Sequence, residues 1–273
     1  MDTNVLYALG LTLFAGLATG IGSCIAFFAK HTDRKFLSFS LGFSAGVMIY
    51  ISFVDIFQQA RVDLGALHGA KTGDIIATLC LFGGIGLAAA IDKLVPSADN
   101  PHEIKNIEDM GHRPDGVPKR ASMSRLRRAG IVTALAVGLH NFPEGVATFM
   151  SAIGNPSLGL AIAVAIAIHN IPEGIAVSVP VFYATGSRRK AFWYSFLSGL
   201  SEPVGALLAW LLLMPFMSVM LMSCTFAAVA GIMVYISFDE LLPAAHEYGE
   251  HHIAIYGLIS GMAVMAASLI MLM

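Results

Sequence analysis

The chain has 273 residues, 56% of them hydrophobic and only 12% charged, about half the roughly 25% charge of ordinary soluble domains. That composition excludes a water-soluble globular enzyme or carrier. A formal net charge of -2, with no basic, aromatic-interleaved surface, gives no ground for a nucleic-acid partner. The three cysteines, Cys24, Cys80 and Cys224, show no paired spacing and read as small buried hydrophobes, not as a disulfide framework.

Apolar runs of about twenty residues, the length needed to cross a ~30 Å hydrocarbon core, follow one another along the chain. In chain order they predict eight spans at roughly 5–29, 36–58, 74–95, 129–153, 158–184, 190–213, 219–242 and 253–273. The first run is too long for a signal-peptide core and lacks a basic flank, so it reads as a retained helix. The only long polar segment, about 96–128, contains Pro96, Pro101, Pro114 and Pro118 and suits a loop better than a second domain. The expectation is therefore an all-α polytopic membrane protein with one transmembrane domain over 1–273. If the loop after the first span is placed in the cytoplasm, all of the 16 Lys and Arg except Arg61 and Lys71 fall on that side. The positive-inside rule then puts both termini outside the cytoplasm.

Two internal repeats cross this topology. His140-Asn141-Phe142-Pro143-Glu144 returns 29 residues later as His169-Asn170-Ile171-Pro172-Glu173. Ala45-Gly46-Val47-Met48-Ile49-Tyr50-Ile51-Ser52-Phe53 returns 185 residues later as Ala230 to Phe238, with seven of nine positions identical. In both cases the two copies lie on oppositely directed spans. This predicts a 3+2+3 bundle with a pseudo-two-fold axis in the membrane plane, an arrangement characteristic of secondary transporters.

The pentapeptide carries the chemistry. His and Glu at i and i+4 share a helix face and Asn lies beside it. Glu144, Glu173 and, in span six, Glu202 all sit near mid-span. Each carboxylate at that depth costs about 2.5–3.5 kcal/mol on the gentlest insertion scales. No Lys or Arg at comparable depth offers counter-charge; cations or protons must supply it. Imidazole with carboxylate suits Zn(II), and also Fe(II), Mn(II), Co(II) and Cd(II). Carboxylates from two helices can bridge two ions. The 185-residue offset also maps Asp55 onto Glu240. Asp55 is expected to help capture ions outside, and Asp239 and Glu240 to help release them inside.

The duplicated His-Asn-x-Pro-Glu-Gly motif, with Ser40-Leu41-Gly42-Phe43 and Ser237-Phe238-Asp239-Glu240-Leu241, resembles the bacterial branch of the ZIP metal transporters over most of the chain. The resemblance implies eight helices in a 3+2+3 fold in the bacterial cytoplasmic membrane and uptake of zinc and other divalent metals into the cytosol. It also implies a binuclear site. One ion would be held by His140, His169, Glu144 and Glu173. The second would be held by Asn141, Asn170 and Glu202, with Glu144 and Glu173 shared. Met48 is the counterpart of a methionine ligand found in some members. The expected partners are the metal ions, the lipid bilayer and a second copy of the chain in a homodimer. The competing expectation is an intramembrane zinc-dependent hydrolase, which would need a metal-bound water and a glutamate base. The chain lacks the His-Glu-x-x-His signature of such enzymes.

Overall fold

A computed structural model describes residues 3–28, 34–94, 141–185, 187–216, 218–248 and 251–272. Apart from short connections these residues are helical, with no strand among them. Helix α1 spans Thr3–Phe28. Helix α2 runs through Arg34–Ile51, a π-helical turn Ser52–Ile56 and Phe57–His68. Helix α3 is Ala70–Leu94. The described part of α4 is 141–154, so residues 129–140 of the fourth expected span and the polar segment 96–128 lie outside the described residues. Helix α5 is Pro156–Thr185. Helix α6 comprises Arg188–Gly199, Ser201–Leu208 and the wider turn Ala209–Leu213. Helix α7 comprises Val219–Ile236, a π-helical turn Ser237–Leu241 and Leu242–Tyr248. Helix α8 is His251–Leu272. Apart from α4, all seven are long and apolar enough to cross a membrane.

Local chemistry sets the helix starts. The Asn155 side chain accepts from the backbone N–H groups of Ser157 and Leu158 at 3.1 and 3.3 Å, and Pro156 takes the first helical position, where a missing N–H costs nothing. Ser218 caps α7 by accepting from Leu221 N at 3.1 Å. Between α2 and α3 the chain turns on a single residue, Gly69, at φ 85, a backbone state that glycine tolerates. The polar stretch 59–73, between the second span expected to end at 58 and the third expected to begin at 74, is therefore helix almost throughout. Its polar groups pair locally: Arg61 with Asp74 across the turn at 2.9 Å, while Gln59 Nε2 donates to Asp63 Oδ1 one turn on at 2.8 Å.

Glycine governs how the helices meet, because an apolar solvent gives no hydrophobic drive and close backbone packing must replace it. Helix α1 packs on α5 and α6, and α5 on α6. Helix α2 packs on α8 and α3 on α7. Helix α5 joins the two groups by touching α2 and α8. Gly42 lies against Ala254 and Gly46 against Leu258, so α2 and α8 run the same way, as helices six crossings apart must.

These contacts recur in pairs. A Cβ on Gly22 would overlap the carbonyl of Ile171, and one on Gly205 that of Phe142. Gly174 meets Thr19 as Gly145 meets Glu202. The matching residues are separated by 183 from α1 to α6 and by 29 from α4 to α5. Gly46 meets Leu258 as Gly231 meets Leu81, and Gly261 meets Phe43 as Gly84 meets Ala228. Here the separations are 185 from α2 to α7 and 177 from α3 to α8. The π-helical turns begin at Ser52 and Ser237, again 185 apart.

Gly231→Leu places a side chain where only the Leu81 backbone fits and is expected to destabilise the bundle by about 1–3 kcal/mol or more. Gly83→Ala, with nothing within 4 Å of the new methyl, should leave the purified protein as stable as the parent or slightly more so. Thermal melts of the two variants in detergent check both outcomes.

Candidate metal site

Three helices converge on the centre of the bundle. The motif glycines bring them there: Gly145 presses α4 on the Glu202 backbone of α6, and Gly174 presses α5 on Thr19 of α1. Each glycine directly follows a motif glutamate, so the closest backbone approach lies beside the carboxylate it positions. Ser195 Oγ of α6 donates to Gly174 O at 2.9 Å and lies 2.6 Å from Ser23 Oγ of α1, which ties α1, α5 and α6 at the same level.

Glu144, His169 and Glu173 each offer one ligand atom, and these atoms lie within 4.8 Å of one another. His169 Nε2 is 3.2 Å from Glu144 Oε1. The i, i+4 relation puts His169 and Glu173 on one face of α5, and the repeated spacing brings Glu144 opposite. All three are buried, as are Asn141, Asn170 and Glu202. Asn170 Nδ2 donates to Ala15 O at 3.0 Å and also to Glu202 Oε1. Glu202 is thus joined to the triad through Asn170, whose own helix carries His169 and Glu173.

Of the other expected site residues, Met48 is fully buried in the core. Asp55 is half-buried in the π-helical turn of α2, and Asp239 and Glu240 are half-buried in that of α7. His140 lies outside the described residues.

The buried donor set fits a divalent cation. His169 Nδ1, Asn170 Oδ1 and Glu202 Oε2 are buried and make no hydrogen bond. Buried polar atoms left without partners are expensive, and coordination uses such lone pairs. Among the residues whose burial is described, no Lys or Arg is buried, so a cation or protons must balance the three carboxylates.

Sequence reasoning passed over four contributors. Thr148, one turn after Glu144, is fully buried with an unpartnered hydroxyl; its i+4 spacing was the available signal. Gly145 and Gly174 were visible in the repeat, but their role as contact points was not. The Ala15 carbonyl, which orients Asn170, left no signal, because any residue supplies a carbonyl.

The family model for ZIP Zinc transporters matches residues 2–269. A protein of Lysinibacillus sphaericus (strain C3-41) named Zinc transporter ZupT is 61% identical over 272 residues, covering 100% of both chains. Its namesake in Streptococcus mutans is 57% identical over 271 residues, covering 99% of each. The one in Nitratidesulfovibrio vulgaris is 58% identical over 272 residues, covering 99% of this chain and 98% of its own. A full-length match to the family, with identities this high along the whole helical bundle, means that the chain is a multi-pass membrane protein that belongs to the ZIP zinc transporter family.

Proposed function

We propose that this protein carries zinc across the bacterial cytoplasmic membrane into the cytosol. The observation that carries the reading is the buried convergence of Glu144, His169 and Glu173, from two copies of one motif, within 4.8 Å. Mixed imidazole and carboxylate ligands bind a divalent ion without the grip of a closed thiolate site, as a carrier that must release its substrate requires. The relatives are transporters by name, and no observation favours hydrolysis, so the protein is a transporter and not an enzyme. Fe(II), Mn(II), Co(II) and Cd(II) are substrates of the same donor chemistry.

Zinc occupies one position formed by His140, Glu144, His169 and Glu173. A second position uses Asn141, Asn170 and Glu202, with Glu144 and Glu173 shared and Met48 at its edge. The Asn170–Glu202 contact and the lone Oδ1 of Asn170 support the second position. The chain is an inverted repeat, α1–α3 answering to α6–α8 and α4 to α5. The recurrence of the glycine contacts at constant separations supports this. The group α1, α4, α5 and α6 carries the site, and its movement against α2, α3, α7 and α8 exchanges access between the two sides. Both termini face outward, Asp55 captures ions there, and Asp239 and Glu240 pass them to the cytosol. The functional assembly is a homodimer.

Radioactive zinc uptake into proteoliposomes should be saturable in the wild type and fall to background in Glu144→Ala and Glu173→Ala. Folded wild type that binds zinc but moves none would overturn the transport reading. Calorimetric titration should find two zinc ions per chain in the wild type and one in Glu202→Gln; equal stoichiometry would remove the second position. Asp55→Asn should raise the KM for zinc severalfold with little change in maximal rate, because a charge at the mouth concentrates cations without touching the central ligands. Uptake kinetics identical to wild type would end the capture role.

A further inference from the structure

The sequence shows no relation between Cys80 and Cys224, yet the fold brings them together. Cys80 lies on α3 and Cys224 on α7, both half-buried, on two helices that pack against each other. The reason is the glycine contact one turn further along. Gly84 lies against the backbone of Ala228, and each cysteine stands four residues before its partner in that contact, on the same helix face. The related helix pair is in backbone contact at the matching level. Steps of 177 and 185 map Cys80 to Gly257 and Cys224 to Phe39, and a Cβ on Gly257 would overlap the Phe39 carbonyl. Cys80 carries the Cβ that Gly257 lacks, so α3 and α7 stand slightly wider at this level, and a disulfide bridges Cα atoms roughly 4.4–6.8 Å apart. Cys24, on α1, is exposed and lies on a helix of the other group.

We propose that Cys80 and Cys224 form a redox-convertible thiol pair whose disulfide staples α3 to α7. Oxidation proceeds by exchange with a low-molecular-weight disulfide. One cysteine loses its thiol proton and attacks a sulfur of that disulfide, forming a mixed disulfide and expelling the first small thiol. The second cysteine attacks the protein sulfur of the mixed disulfide and expels the second small thiol. The two protein thiols are oxidised to one disulfide, the oxidant is reduced to two thiols, and the two protons leave with them. In the orientation proposed above, Cys224 lies in the second turn from the outer end of α7, on the oxidising side of the membrane. Next to it, Ser223 is 3.4 Å from Asp63 of α2, so the staple closes where three helices of one group already meet.

The test uses the full chain with a protease site inserted after Met110, in the polar segment, which separates Cys24 and Cys80 from Cys224 on cleavage. After treatment with a dipyridyl disulfide and cleavage, the two fragments should migrate together on a non-reducing denaturing gel and separate once reduced. Cys24→Ser should stay linked, and Cys80→Ser should not. The oxidised wild type should melt about 5 °C or more above its reduced form, a comparison that needs no variant. Fragments that separate in the oxidised wild type, linkage that persists in Cys80→Ser, or equal melting of linked and reduced protein would each overturn the proposal.

Discussion

The whole structure answers to one electrostatic constraint: three glutamates, Glu144, Glu173 and Glu202, buried together at the centre of an apolar bundle. At about 2.5–3.5 kcal/mol for each charge at that depth, the arrangement persists only if other groups satisfy it. Part of the compensation is visible in the protein itself. His169 approaches Glu144, and Asn170 bridges Glu202 to the backbone of α1. The remainder is left to whatever positive charge passes through. A site that is balanced only when loaded suits a carrier, because departure of the substrate restores the pressure to rebind.

Glycine is the second half of the design. Bringing carboxylates from α4, α5 and α6 to one point requires backbones closer than any side chain allows, and Gly145, Gly174 and Gly205 supply that approach. The same device, with different residues, joins α2 to α8 and α3 to α7. The bundle is thus two sets of helices, each closely fitted within itself, with α5 forming the seam between them. Rigid groups with a shared boundary are the form expected of a molecule that must expose one site to two compartments.

Much of this was legible in the residues alone. The span count followed from apolar run length, and the site helices followed from the pentapeptide repeat and its i, i+4 geometry. Other features left weaker traces. The region from Gln59 to Gly73 reads as a loop because it is polar, yet polarity excludes a segment only from lipid, not from helix; α2 simply continues to His68, stitched to α3 by Arg61–Asp74. The Cys80–Cys224 neighbourhood had no trace at all, since their proximity depends on a glycine contact elsewhere on the two helices. A uniform turn of 3.6 residues does not hold in α2 and α7 either: it is broken at Ser52 and Ser237.

Those two wide turns have a geometric consequence. Each π-helical turn admits one residue more than an α-helical turn would, with Phe57 N–H reaching back to Ser52 O and Leu242 N–H to Ser237 O. Since each residue advances an α-helix by about 100°, every side chain beyond the turn faces a direction offset by that angle from a wheel drawn through the preceding segment. In α2 this means that Ser44, Met48 and Ser52 belong to one angular frame and Arg61 and Asp63 to another. Asp55 and Glu240 sit at the two changes of frame, where a single helix can line the interior along one stretch and address its neighbours along the next.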